Sequence, residues 1–154
     1  MKRRIYTDTS VIGGCLDPEF QVPSSRLVEK FKLGEAVIVL SELTLLELVD
    51  APEKVRDVLK PIPEEHREYL DLTPEAAELA DRYLKEGVIG LGKRIDAQHI
   101  AIATISRVDV LVSWNFRHIV NLARIRGYNS VNLRQGYPVL EIRSPSEVLE
   151  DEKS

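Results

Sequence analysis

The sequence has little of what marks exported, membrane-bound or disulfide-stapled proteins. Its single cysteine, Cys15, has no internal partner, which fits a reducing compartment. No apolar run exceeds about five residues, far short of the ~20 that a membrane helix needs. The basic start Met1-Lys2-Arg3-Arg4 is not followed by an apolar signal core, so a cytoplasmic protein with no membrane contact is expected. Repeats and low-complexity segments are absent. His66, His99 and His118 lack zinc-ligand spacing. The glycine-rich stretch Gly87-Val-Ile-Gly-Leu-Gly92-Lys93-Arg94 falls short of a phosphate-binding loop, because Arg94 stands where a Ser or Thr must reach Mg²⁺. What remains is an ordinary globular composition: 154 residues, 44% hydrophobic and 30% charged. A chain of that length buries roughly 70% of its unfolded surface, enough for one core.

The net charge of −4 is unevenly spread. Residues 1–91 carry 12 Lys and Arg against 18 Asp and Glu, residues 92–143 carry 8 against 3, and residues 144–154 carry 1 against 4. Charge acts over about a Debye length, ~8–10 Å, so the middle stretch can hold a polyanion locally despite the acidic whole.

Hydrophobic patterning predicts strands at 5–7, 36–40, 110–114 and 139–142. Helices are expected over 24–33, 41–50, 52–59, 74–85, 95–108 and 118–126, with Gly34, Gly87 and Gly127 as stops. Gly13, Gly14 and Pro18 mark a loop, 64–72 is ambiguous, and the acidic segment 144–154 is expected to fray. Strands that are apolar throughout and alternate with helices call for a parallel sheet covered on both faces. In such sheets ligands gather beyond the carboxyl ends of the strands, at a switch point.

Four polar residues stand at places of that kind. Asp8 ends the first strand, and Asn115 follows Trp114 at the end of another. Glu47 lies in Leu43-Thr-Leu-Leu-Glu47-Leu-Val49, a helix apolar on nearly every side. Burying it unpaired would cost several kcal/mol, so it needs an Arg or Lys, a shifted pKa or a metal. Asp96 precedes Ile100 and Ala103 by four and seven residues, which places it on the apolar stripe of its helix. Three converging carboxylates repel one another without a counter-charge. Mg²⁺ or Mn²⁺, with oxygen ligands, is the natural one. Two such ions about 3.5–4 Å apart activate a water for phosphodiester cleavage.

Tyr6-Thr-Asp8-Thr-Ser10, Leu45-Leu-Glu47-Leu48, Asp96-Ala-Gln-His-Ile-Ala101 and Leu111-Val-Ser-Trp-Asn115-Phe-Arg-His118 resemble, in this order, the four motifs of PIN-domain nucleases, nearest to the VapC-type toxins of toxin–antitoxin modules. The resemblance covers about residues 3–142. It implies an α/β fold, a three-layer α/β/α sandwich with a central parallel sheet, as a single domain over 1–143. It also implies a Mg²⁺- or Mn²⁺-dependent endoribonuclease, a homodimer, and a small antitoxin partner. The family's metal-holding acids fall on Asp8, Glu47 and Asp96, with Thr9 and Ser10 in support. The fourth acid falls on Asn115, where one oxygen remains but a charge is lost, so a weaker metal contact is expected. Arg117, His118, Arg124 and Arg126 are candidate RNA contacts; on a helix beginning at His118, Arg124 and Arg126 lie about 160° apart and cannot both face one groove. The alternative is a degenerate PIN-like module that binds RNA or protein and cleaves little.

Overall fold

The structure is a computed structural model that describes residues 1–151. Five parallel strands form one sheet in the order β3-β2-β1-β4-β5: β1 (Arg3–Thr7), β2 (Ala36–Ser41), β3 (Arg67–Leu70), β4 (Val110–Val112) and β5 (Ile142–Arg143). The chain builds outward from β1 through β2 to β3, then crosses back to place β4 on the other side of β1. The switch point therefore lies between β1 and β4, where Tyr6 pairs with Leu111 and Thr7 with Val112.

Strand alternation sends neighbouring residues to opposite layers. Ile5, Ile38, Leu40, Val110 and Val112 face one side. They pack under α1 (Thr9–Gly14) and α2 (Gln21–Lys32), with Leu27 and Phe31 buried there. Tyr6, Val39, Leu111 and Ile142 face the other, under α5 (Pro74–Lys85), α6 (Arg94–Ser106) and α7 (Leu122–Arg134). This is a three-layer α/β/α sandwich. Helices α3 (Glu42–Val49) and α4 (Glu53–Arg56) follow β2. Among the described residues no helix is long and apolar enough to cross a membrane.

Several local expectations are corrected. Residues 9–14 are helical, not a loop. Gly14 is there because a Cβ would lie 2.5 Å from Ser24 Oγ and 2.9 Å from Trp114 Nε1. Gly127 is no stop: α7 runs through it, and a Cβ there would sit 2.7 Å from Val88 Cγ1. That helix starts at Leu122, capped by Asn121, instead of at His118. Residues 145–151 form α8 (Pro145–Asp151) where fraying was expected. Ser144 and Glu147 cap it reciprocally, at 3.0 and 3.3 Å, and Val148 is 0% exposed against α2. The remaining residues of the expected tail, 152–154, lie outside the described part.

Candidate active site

The site begins at the carboxyl end of β1. Asp8 donates its backbone N–H to Val112 O at 3.1 Å, which locks it against β4, and it is 8% exposed. Its carboxylate does not cap the helix it precedes. Instead Oδ2 accepts from Ser10 Oγ at 2.8 Å and from Ser113 Oγ at 2.7 Å. Ser10 in turn accepts the Trp114 N–H at 3.0 Å, so β1, α1 and the end of β4 are tied through one carboxylate oxygen.

Glu47 projects from α3, whose first turn is capped by Ser41 accepting from Thr44 N–H at 3.4 Å. The expectation of a carboxylate buried in an apolar helix is corrected. The Glu47 side chain is 39% exposed, and Leu45, Leu46 and Val49 also face outward. Its partners are neither Arg nor Lys. Thr9 Oγ1 donates to Oε1 at 2.8 Å, and His99 Nε2 lies 3.0 Å from the same oxygen. Partial burial works against its ionisation, but the His99 and Thr9 contacts outweigh it and hold Glu47 below the ordinary carboxylate range.

His99 sits three residues after Asp96 on α6 and is 1% exposed. Its Nδ1 lies 2.6 Å from the Tyr6 hydroxyl, which donates to Ser41 Oγ at 2.7 Å. Burial opposes its charge, yet Glu47, Asp8 and Asp96 together raise its pKa. Asp96 is half-buried; burial first, then the charge of Asp8, raises its pKa. Glu47 and Asp96 share a cleft of about 330 Å³ with Leu46, Lys93 and Ile95. Asp8, Glu47 and His99 each offer one ligand atom, and these lie within 4.8 Å of one another.

The other candidates fall around this centre. Asn115 Oδ1 accepts from His118 N–H at 2.9 Å, closing a turn. His118 is partly buried; desolvation lowers its pKa, and its buried Nδ1 has no hydrogen-bond partner among the described residues. Arg117 and Arg124 line one cavity of about 550 Å³, which Arg126 does not reach. Arg124 also donates to Val88 O. Two residues were missed by sequence reasoning. Ser113 stands two positions before Asn115, and His99 is one turn from Asp96, the spacing that puts side chains on one helix face.

Solved structures share this architecture. A chain of VapBC2 from Rickettsia felis, in a structure bound to promoter DNA, matches with a TM-score of 0.58 at 13% identity, over 92% of this chain and 98% of that one. The fold is PIN-like. FitAcB from Neisseria gonorrhoeae gives 0.56 at 14% identity, over 92% and 97%. VapC20 of Mycobacterium tuberculosis, a Sarcin-Ricin loop cleaving toxin, gives 0.50 at 16%, over 70% and 86%. No family model and no curated protein matches the sequence. At these identities the likeness speaks for the PIN-like fold alone. In that fold, the switch point between β1 and β4 is where Asp8 and Ser113 meet.

The residues fit a divalent cation. Two carboxylates and an imidazole converge, Asp96 is held up by Asp8's charge, and no Lys or Arg makes an ion pair with Asp8, Glu47 or Asp96 among those described. The carboxylate oxygens suit Mg²⁺ or Mn²⁺, and no thiolate stands among the converging donors Asp8, Glu47 and His99.

Proposed function

We propose that the protein is a Mg²⁺- or Mn²⁺-dependent endoribonuclease of the VapC-like PIN type, acting in the cytoplasm as the toxin of a toxin–antitoxin pair. One observation carries the reading: acidic groups from β1, α3 and α6 gather at the switch point of a PIN-like sheet, with donor atoms of Asp8, Glu47 and His99 within 4.8 Å. Asp8, Glu47 and Asp96 would hold the metal, with Asn115 as a further oxygen donor. Thr9 and Ser10 fix the carboxylates. A divalent ion held there would lower the pKa of an attacking water and offer positive charge to the departing oxygen. Of the four basic candidates, Arg117, His118 and Arg124 contact RNA, while Arg126, turned away from Arg124 on the helix, does not; Arg117 and Arg124, bordering one cavity, offer planar forks for phosphates. Antitoxin binding and a homodimer belong to the same reading; the likeness to VapBC2 and FitAcB supports the first.

The test is cleavage of a mixed RNA pool with chelator, Mg²⁺ or Mn²⁺, using wild type and Glu47→Gln. Cleavage that needs metal and is lost in the variant supports the reading; equal cleavage with chelator defeats it. A second reading, a PIN-like module that binds RNA or protein with little cleavage, is favoured by Asn115, whose oxygen is engaged in its own turn. It predicts RNA retention without cleavage in either metal.

A further inference from the structure

We infer that His99 is itself a metal ligand, giving this chain a mixed nitrogen–oxygen site that prefers Mn²⁺ over Mg²⁺. The inference rests on the metal site proposed above and adds a donor, His99, to which the four-motif resemblance gives no metal-holding role.

The argument starts from proton counting. Tyr6 has one hydroxyl hydrogen to give. That hydrogen goes to Ser41 Oγ, at 2.7 Å. The Tyr6 oxygen is then an acceptor, and the group 2.6 Å away is His99 Nδ1, which must carry the hydrogen. An imidazole with hydrogen on Nδ1 presents a lone pair at Nε2. An outer partner that fixes the ring and its tautomer in this way is what ligating histidines have. Nε2 points at Glu47 Oε1, 3.0 Å away, so two lone pairs face each other and need a positive centre between them. A divalent ion held by both atoms would supply it. Asp8 lies on the third side, its donor within 4.8 Å of the other two.

His99 has no freedom to avoid this role. It is 1% exposed, packed in an edge-to-face contact with the Tyr6 ring at 5.8 Å, and held on the same helix as Asp96. Ser41 closes the circuit, because it also caps α3, the helix that carries Glu47. Mg²⁺ favours all-oxygen octahedra, whereas Mn²⁺ accepts an imidazole nitrogen readily, so the nitrogen should set the preference between them.

The experiment is pulsed electron paramagnetic resonance of Mn²⁺ on the full chain without RNA, with binding isotherms for both ions. Wild type should bind Mn²⁺ and show nitrogen coupling of an imidazole. His99→Gln should lose the coupling, and weaken Mn²⁺ by about tenfold or more while moving Mg²⁺ far less. His118→Gln should keep the coupling, which assigns it, since the only other histidine, His66, contacts Phe31 O at the opposite end of the sheet. Tyr6→Phe keeps the ring packing and should weaken Mn²⁺ in the same direction by loosening the imidazole. Mn²⁺ bound with no nitrogen coupling in the wild type overturns the inference and leaves His99 as a strut for Glu47, with the nuclease reading intact. No binding of either ion overturns both.

Discussion

If Asp8, Glu47 and Asp96 share a cation, metal must stabilise the fold, and the amount can be worked out beforehand. The Asp8 and Glu47 donors lie within 4.8 Å. At that separation, like charges repel by about 1 kcal/mol in water and about 3.5 kcal/mol at an effective dielectric of 20. The 39% exposure of Glu47 and the neighbouring His99 place the true value toward the lower figure. Asp96 adds a second repulsion, visible in its raised pKa. A divalent ion at 100 times its dissociation constant returns about 2.7 kcal/mol. For a domain of this size that is a rise in melting temperature of roughly 5–11 °C. Differential scanning fluorimetry with chelator, then with Mn²⁺ or Mg²⁺ titrated into the millimolar range, measures it. Asp96→Asn should raise the melting point of the chelated protein, because it removes a charge that burial and Asp8 both disfavour, and should shrink the metal-dependent rise. Identical melting with chelator and with millimolar Mn²⁺ would refute the convergence of these acids on a cation.

Glu47→Gln should abolish cleavage with little loss of fold, whereas Glu42→Gln should leave activity within a few-fold, since Glu42 accepts only the Leu72 N–H at 2.8 Å; the reverse result in an RNA assay means the wrong acid was chosen. Asn115→Asp should lower the metal concentration needed for half-maximal cleavage and Asn115→Ala should raise it; if both match the native residue, Asn115 serves its turn alone. In the ion-free protein His99 has a raised pKa, so its contribution to stability is full below about 6.5 and is lost as pH climbs through the raised value, while the lowered pKa of Glu47 gives stability lost on acidification. Chemical denaturation of the chelated protein from pH 5 to pH 9 should show the alkaline fall, and His99→Gln should flatten it. Val148→Ala should cost about 1–3 kcal/mol by urea denaturation, because its side chain is fully enclosed against α2; no change means α8 is not docked.

Much of the fold was legible because its signals are local. The helix expected over 74–85 needs only one capping hydroxyl and one proline, and it stands there as Pro74–Lys85, with Thr73 Oγ1 accepting from Ala76 N–H at 3.1 Å. β2 is apolar from Ala36 to Leu40 and stands where expected. What failed was the use of glycine as punctuation. Gly14 and Gly127 answer a packing demand from Trp114, Ser24 and Val88, residues distant in sequence, and so mimic breaks that are not there. β3 was ambiguous because it is an edge strand, where Arg67 and Glu68 are tolerated and no apolar alternation is imposed. α8 was missed because its burial hangs on two residues, Pro145 and Val148, although Ser144-Pro-Ser-Glu147 spells a capping box.

The site divides along the same line. Asp8 and Asn115 are found at strand ends, which period and apolar runs locate. Glu47 was singled out for burial it does not have; the apolar residues beside it, Leu45, Leu46 and Val49, face outward. The contacts that define the centre join residues far apart: Thr9 to Glu47 across 38 positions, Glu47 to His99 across 52, Tyr6 to His99 across 93, Asp8 to Ser113 across 105. Periodicity tells which face a residue takes but not which strand lies beside which. Only the order β3-β2-β1-β4-β5 brings the end of β4 against the end of β1, and with it Ser113 onto Asp8. His99 is the instructive case. As a lone histidine on an apolar helix it reads as packing, and it is packed, 1% exposed. Its chemistry arises because the side that packs, toward Tyr6, fixes one ring nitrogen and thereby aims the other at Glu47. Core and site are here the same residue, and a reading that sorts each position into one or the other will pass over it.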